Sequence, residues 1–181
     1  MNHLINVGIA SFGMSTKVFH APFLAQHKGY AIKRIVERST NDAQSLYPRA
    51  IVSRSFADIL NDPEIDLIVV NTPDHTHFEL AKSSLEAGKH VVVEKPFTQT
   101  VREAEELVEL AIRGQRILTV FQNRRWDGDF LTVQDIIRKK TLGTLSNTRH
   151  DGTDIAISYS QAAGRKMPQP EPGFSTILAR T

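Results

Sequence analysis

Short apolar runs alternate with helix-periodic segments along the first two thirds of the chain. Leu67–Val70 and His90–Val93 are continuously apolar, which is typical of parallel strands buried on both faces. Two such strands imply helices above and below the sheet that contains them. Further strands are predicted at Leu4–Ala10, Ala31–Glu37 and Ile117–Phe121.

Polar residues mark where the helices between these strands begin. Thr76 and Glu79 have the spacing of a capping box, and Thr100 and Glu103 repeat it. The helix after the first strand contains Pro22, which is predicted to shorten or kink it. Because strand and helix alternate repeatedly, the chain is predicted to have an α/β fold with a doubly wound parallel sheet.

The predicted sheet occupies residues 1–122, and a different pattern follows it. Asp129–Lys140 has the apolar spacing of an amphipathic helix. Residues 146–181 contain several prolines and glycines and show neither period 2 nor period 3.6 for long enough to define an element. We therefore predict a loop or a disordered tail there.

Composition and charge narrow the class of protein. The 181 residues are enough for one well-buried domain and a fragment of another. The net charge of +2 comes from mixed acidic and basic residues, which gives little support to nucleic-acid binding. No stretch approaches the roughly 20 apolar residues of a membrane span. The absence of cysteine fits a reducing compartment, and we predict a cytoplasmic protein.

The turn after the first strand is a candidate phosphate-binding site. In a doubly wound fold, glycines there let a pyrophosphate approach the backbone at a helix N-terminus. When the fingerprint G-x-G-x-x-G is laid over this turn, Ser11, Gly13 and Thr16 fall at the glycine positions, so only the middle glycine is present. Thr16 adds a β-branched side chain where helix and pyrophosphate pack closely. The turn alone is a weak signal.

An acidic residue at the end of the second strand is a second cofactor signal. Glu37 lies there, where a carboxylate can accept hydrogen bonds from both ribose hydroxyls. Arg38 follows it and is able to meet a 2′-phosphate instead. The pair does not decide between NAD and NADP. Alternatively, Glu37 and Arg38 are ordinary polar residues at the end of a strand.

Three more segments directly follow predicted strands, at the sheet edge where such folds bind their ligands. They are Asn71–His77, Glu94–Pro96 and Gln122–Asp127. His75 and His77 lie two residues apart, but no carboxylate or cysteine set completes a metal site, and we predict none.

These segments resemble a known family in their order and spacing. Val7–Pro22, Thr72–His77, Gly88–Val91, Glu94–Pro96 and Gln122–Asp127 together resemble the Gfo/Idh/MocA family of NAD(P)-dependent oxidoreductases. The resemblance covers residues 3 to about 145 and implies a Rossmann domain followed by an α/β domain with a large open sheet. That second domain supplies much of the substrate site and often the oligomer interface.

The resemblance also implies roles for individual residues. Lys95 matches the lysine of the family's Glu-Lys-Pro motif and would orient a substrate oxygen or assist proton transfer beside the nicotinamide. The bond from this lysine to Pro96 is often cis in the family. Alternatively, Lys95 is a solvated residue of a turn, and the Trp126 indole has a packing role. The expected contacts of NAD or NADP are Ser11, Phe12, Gly13, Met14, Glu37, Arg38, Thr72, Pro73, His77, Glu94, Asn123 and Trp126.

The end of the chain departs from the family pattern. Residues 123–145 are predicted to begin the second domain, but its glycine-rich segment with a following Asp and His does not appear before Thr181. Suitable codons read one nucleotide out of register over 171–181 would supply that segment. We therefore hypothesise that residues 146–181 are a frameshifted tail and that the second domain is incomplete.

The predicted activity is hydride transfer to or from a small molecule that carries a hydroxyl or carbonyl group. An incomplete second domain would impair it, and a non-catalytic nucleotide-binding module is the alternative. Another Rossmann enzyme, such as a methyltransferase, would leave Glu94–Pro96 and the Arg-Trp block after Asn123 unexplained.

Overall fold

The structure is a computed structural model that describes residues 4–141, 144–150 and 155–160. The chain divides into two units between Gln122 and Asn123. The first unit is built on a parallel sheet, and the second contains a helix and a two-stranded antiparallel hairpin.

The sheet of the first unit has six strands. The strands are β1 (Ile5–Ile9), β2 (Tyr30–Val36), β3 (Ile51–Ser53), β4 (Leu67–Val70), β5 (His90–Val93) and β6 (Leu118–Val120). Their order across the sheet is β3-β2-β1-β4-β5-β6. Because the chain direction across the sheet reverses between β1 and β4, this is the doubly wound order with its switch point at that pair. The predicted α/β fold class is confirmed.

The edge strand β3 was not predicted from the apolar pattern. It has only three residues, too few to show a period, and it pairs with the end of β2 through Arg34 beside Ile51 and Val36 beside Ser53. Its consequence for the site is that Arg54, which directly follows it, reaches the same sheet edge as the residues after β1, β2 and β4.

Helices cover both faces of the sheet. They are α1 (Ala21–Gln26), α2 (Asp42–Leu46), α3 (Phe56–Leu60), α4 (His77–Glu86) and α5 (Val101–Gly114). One apolar cluster lies under α3, α4 and α5 and includes Val70, Val91 and Leu107. The other lies under α1 and α2 and includes Val7 and Ile9. Each such side chain contributes about 1.5–3 kcal/mol on burial, so the two clusters hold the strand ends in place.

The two predicted capping boxes have different outcomes. Thr100 and Glu103 form one, since each side chain accepts a hydrogen bond from the other residue's backbone N–H. The prediction at Thr76 is wrong. A 3-10 turn, Asp74–Thr76, precedes α4, and the Thr76 hydroxyl donates instead to the Pro73 carbonyl at 2.6 Å.

The predicted interruption at Pro22 takes the form of a π-helical turn. Thr16–His20 is this turn, and the backbone N–H of Ala21 donates to the Thr16 carbonyl, five residues back. Pro22 then lies in the first turn of the regular helix α1, where its missing N–H costs nothing.

The second unit contains α6 (Gly128–Arg138), β7 (Thr144–His150) and β8 (Ile155–Ser160). The two strands pair antiparallel. The apolar pattern predicted no regular element after residue 146, and the structure differs here. Ile157–Ser160 does alternate apolar and polar residues, but over a run too short to stand out beside the prolines and glycines. Residues 161–181, which hold most of the predicted tail, lie outside the described residues.

Within the described ranges, no helix is long and apolar enough to cross a membrane.

Candidate functional site

A cleft of about 790 Å³ opens at the carboxyl ends of β1, β2 and β4. This volume lies in the range of small-molecule and cofactor sites. Predicted cofactor residues in its lining are Ser11, Phe12, Glu37, Arg38, Thr72 and Pro73. The switch point of the sheet therefore brings together residues that are up to 62 positions apart in the chain, from Ser11 to Pro73.

The buried side chain of Asn71 ties the turn after β1 to the end of β4. Its Oδ1 accepts a hydrogen bond of 3.1 Å from the backbone N–H of Ser11. Its Nδ2 lies 3.2 Å from the Ser11 carbonyl, 3.1 Å from Ser15 Oγ and 2.5 Å from Thr16 Oγ1. One amide thus sets the conformation of the candidate phosphate-binding turn across the switch point.

Thr16, which stands where the fingerprint has a glycine, is part of the same network. It is fully buried, and its hydroxyl donates to the Ser11 carbonyl while it accepts from Asn71. The β-branched side chain therefore points into hydrogen bonds of the turn. We expected this side chain to crowd the helix and the pyrophosphate, but its hydrogen bonds hold the turn in place instead.

Gly13 leaves space that no other part of the described chain fills. A Cβ at this position would have Ser11 Oγ, 3.9 Å away, as its nearest neighbour. In the described part of the chain, the backbone N–H groups of Phe12 and Gly13 have no hydrogen-bond acceptor. Open space next to free backbone donors is what a phosphate group needs. Met14, in the same turn, is exposed.

The Glu37 carboxylate is already engaged by the protein. Oε1 accepts from the Thr40 hydroxyl and from the Asp42 backbone N–H, and Oε2 accepts from the Ala43 N–H at 3.1 Å. Burial raises the pKa of Glu37, but these hydrogen bonds outweigh burial and bring the pKa below its usual value. The carboxylate is an anion that caps α2, so its capacity for two ribose hydroxyls is reduced.

Two arginines, Arg54 and Arg38, line the cleft near the end of β2. Arg54 donates to the Glu37 carbonyl at 2.6 Å, to the Thr40 carbonyl at 2.5 Å and to Asn41 Oδ1 at 2.6 Å. It therefore holds the loop after β2 in place. Arg38 is exposed at the cleft and has no ion-pair partner among the described residues.

His77 lies behind the cleft and does not line it. It is buried, its Nδ1 is 2.7 Å from the Pro96 carbonyl, and its Nε2 is 2.9 Å from the Thr72 carbonyl. Both ring nitrogens are thus occupied by backbone groups. The structure gives His77 the position of a brace between the loops after β4 and β5, and this differs from the direct cofactor contact that the resemblance implies.

The segment after β5 carries the predicted catalytic lysine. Lys95 is exposed, and its peptide bond to Pro96 is cis, as the resemblance implied. Glu94 is buried, and its Oε2 accepts a hydrogen bond of 3.1 Å from the Lys95 backbone N–H. Its Oε1 lies 3.0 Å from His20 Nε2. Glu94 is therefore also turned toward the protein.

Asn123 and Trp126 lie in the second unit, in a 3-10 turn at its start. Trp126 is 73% exposed, so the described residues do not bury its indole. A turn of four residues offers the indole no apolar surface of its own.

Among the residues that the structure describes, no group of three or more His, Asp or Glu side chains could hold a metal ion.

Two residues that organise this site were absent from the sequence-based set. Arg54 was missed because β3 was not predicted. Asn71 was part of a segment of interest, but its role depends on partners 55 to 60 positions away. A polar residue directly after a continuously apolar strand is the signal that could have found Asn71.

Comparison with known proteins places this fold and site in a family. The model of an oxidoreductase family with an NAD-binding Rossmann fold, GFO_IDH_MocA, matches residues 5–122. YdgJ of Escherichia coli, an uncharacterized oxidoreductase, is 44% identical over 81% of this chain and 42% of its own length. IolW of Bacillus subtilis, a scyllo-inositol 2-dehydrogenase (NADP(+)), is 41% identical over 76% of this chain and 38% of its own length.

A solved structure from Bacteroides fragilis agrees. Its sequence is 55% identical to this one, and the match covers 79% of this chain and 42% of the solved chain with a TM-score of 0.76. The chain therefore belongs to the Gfo/Idh/MocA oxidoreductase family, and the predicted resemblance is confirmed. It spans less than half the length of YdgJ and IolW, so those proteins contain more than this chain does.

One relative bears on the tail. C115.03 of Schizosaccharomyces pombe, an uncharacterized oxidoreductase, is 38% identical over 175 residues, which are 94% of this chain and 48% of its own length. This alignment extends beyond Leu145, whereas the alignments with YdgJ and IolW cover 146 and 138 residues. The frameshifted tail stays a hypothesis. Sequencing the coding DNA across the Leu145 codon tests it, and an uninterrupted frame removes it.

Proposed function

We propose that the first unit binds NADP in the cleft at the switch point, as the cofactor-binding part of an oxidoreductase. The observation that carries this proposal is the turn at Phe12 and Gly13, where, among the described residues, the backbone N–H groups have no acceptor and no side chain fills the space beside Gly13. The NAD-binding Rossmann fold of the family supports the binding of a dinucleotide here.

The pyrophosphate would lie on the turn from Ser11 to Met14. Asn71 and Thr16 hold this turn, so the donors would be in place before the ligand arrives. Preorganised donors lower the cost of ordering on binding.

The residues that follow β2 favour NADP over NAD. Glu37 already accepts hydrogen bonds from Thr40, Asp42 and Ala43, so it is a poor acceptor for both ribose hydroxyls. Arg38 lines the same cleft and would meet a 2′-phosphate with charge-assisted hydrogen bonds. The relative IolW, which carries NADP(+) in its name, supports this choice.

NADP, when bound, supplies or accepts a hydride. Lys95 is the proposed catalytic residue, placed by Glu94 at the carboxyl end of β5. Its exposed ammonium group would orient a substrate oxygen or move a proton at that oxygen. The proposed substrate class is a small polyhydroxylated compound, on the strength of the inositol named for IolW.

Further properties of the whole protein stay proposals of the same kind. The second domain of the family would supply most substrate contacts and an oligomer interface. A cytoplasmic location is supported only by the absence of cysteine.

Isothermal titration with NADPH and with NADH tests the proposal. We expect tighter binding of NADPH, and we expect Arg38→Ala to weaken it about 10- to 100-fold, as for charge-assisted hydrogen bonds worth about 1.5–3 kcal/mol. NADH binding should change less than about threefold. Arg102→Ala on the exposed side of α5 is the matched control.

Other results of this titration separate the alternatives. Equal binding of both cofactors, unchanged by Arg38→Ala, would contradict the NADP assignment. Failure of the folded protein to bind either cofactor would contradict the proposed function. Binding without turnover of any polyol would favour the non-catalytic nucleotide-binding module.

A further inference from the structure

A buried histidine and a buried glutamate meet beside the proposed cofactor site, and none of the roles assigned above uses their contact. His20 Nε2 lies 3.0 Å from Glu94 Oε1, and the two side chains are 4% and 12% exposed. The residues are 74 positions apart in the chain. Burying a hydrogen-bonded carboxylate is costly unless its partners remain in place, so this contact constrains both segments.

The π-helical turn explains why His20 faces Glu94. Thr16–His20 holds one more residue per turn than an α-helix would over the same rise. In a regular helix, each residue advances by about 100°, so removing that extra residue would turn the following side chains away from their present direction. Pro22 favours the irregular turn because it has no N–H to donate to a regular helical ladder.

His20 also touches a third segment of the sheet edge. Its ring centroid is 4.2 Å from that of Phe121, just after β6. Burial lowers the pKa of His20, although the hydrogen bond to Glu94 and the charge of Glu94 oppose this. A neutral ring has a single N–H, and the Glu94 carboxylate requires it on Nε2.

Glu94 connects His20 to the predicted catalytic lysine. Its Oε1 faces His20, and its Oε2 accepts from the Lys95 backbone N–H at 3.1 Å. The carboxylate therefore has one fixed orientation only while both contacts exist. Loss of the His20 contact would free it to rotate away from Lys95.

We propose that His20 is a positioning residue that holds the Glu94 carboxylate against the Lys95 backbone and thereby sets the place of Lys95 at the cofactor site. The consequence for catalysis rests on the proposed function. The contact between the three residues does not, and it is tested without cofactor.

The test is amide hydrogen exchange at Lys95, followed by NMR, in wild type, His20→Asn, His20→Phe and His20→Gln. The Gln amide nitrogen can take the place of His Nε2, whereas Asn is too short and Phe has no donor. We expect exchange at Lys95 to be at least about tenfold faster in the Asn and Phe variants and close to wild type in the Gln variant. His27→Gln on the exposed end of α1 is the matched control.

Unchanged exchange at Lys95 in folded Asn and Phe variants would overturn the proposal. If these variants do not fold, the imidazole ¹⁵N shifts of wild type decide instead. A proton on Nε2 supports the proposal, and a proton on Nδ1 alone overturns it.

NADPH titration of the same variants separates the two proposals. We expect His20→Asn to weaken NADPH binding about 3- to 10-fold and His20→Gln to restore it. Absence of NADPH binding in wild type would remove the proposed function and leave the exchange result standing.

Discussion

The two ends of the parallel sheet use buried polar side chains in opposite ways. At the amino ends of β4 and β5, Asp62 accepts from Arg34 Nε at 2.6 Å, and Lys89 Nζ donates to the carbonyls of Asp62 and Ile65, both at 2.8 Å. At the carboxyl ends, Asn71 binds the Ser11 N–H of a turn in which the Phe12 and Gly13 N–H groups have no acceptor among the described residues. The first cluster satisfies itself, and the second uses its hydrogen bonds to present donors to a ligand.

This difference separates stability from binding. A network closed on itself adds to the free energy of unfolding and has no group left for a ligand. A network that holds a turn open contributes less to stability, but its loss changes the binding site. Substitutions at the two ends should therefore have separable effects.

The largest expected effect is on stability, from Lys89→Met. It removes the donor to two carbonyls. The Ile65 carbonyl loses its side-chain donor, at about 1–3 kcal/mol, and the Asp62 carbonyl keeps the backbone N–H of Ile65 but loses a second bond worth about 1 kcal/mol. We expect a loss of about 3 kcal/mol in the free energy of unfolding, measured in urea, with NADPH affinity of the folded protein unchanged. Lys28→Met, at an exposed position, is the control. A loss of affinity equal to that of Asn71→Ala would contradict the separation.

Asn71→Ala should affect NADPH binding more than the free energy of unfolding. It removes the contacts that hold Ser11 and Thr16, so the turn loses its preorganisation. We expect NADPH binding to weaken about 10- to 100-fold in calorimetry, with a loss of about 1–2 kcal/mol in stability. Unchanged affinity would show that the turn does not depend on this amide.

Thr16→Gly restores the fingerprint glycine and should have a smaller effect. The variant loses the hydroxyl that bonds to Ser11 and gains backbone freedom in the unfolded state, each at a cost of about 1 kcal/mol in stability. We expect NADPH affinity to fall about threefold, and Thr16→Ser, which keeps the hydroxyl, to stay near wild type. Tighter binding by the glycine variant would mean that the brace is not needed.

The smallest effects should appear in the dependence of stability on pH. Burial lowers the folded-state pKa of His20, so the unfolded state binds more protons, and stability falls as the pH drops below about 6.5. The hydrogen bond from Arg34 lowers the pKa of Asp62, whose stabilisation is present above about pH 4 and lost below it.

Urea unfolding at a series of pH values separates these two windows. His20→Gln should flatten the curve as the pH falls from about 6.5, and Asp62→Asn should flatten it below about pH 4. If His20→Gln leaves the upper window unchanged, another group is responsible for it.

The sequence alone was sufficient for most of the fold. Continuous apolar runs identified β4 and β5, and their alternation with helices predicted the doubly wound sheet, because buried parallel strands leave a strong and local signal. The edge strand β3 escaped because three residues show no period. The capping box at Thr76 was wrong because a hydroxyl can bond to a nearby carbonyl as readily as to a helix N–H.

The candidate site, like the fold, was predicted from the sequence only in part. Its segments were found because each directly follows a strand, and every carboxyl end in a parallel sheet lies on one edge. Which side chains face a ligand was decided by the tertiary structure. Glu37 caps α2, His77 braces two loops, and His20 meets a glutamate 74 positions away. Local pattern determines where the backbone goes, but hydrogen-bond partners distant in the chain are chosen only when the strands take their order in the sheet.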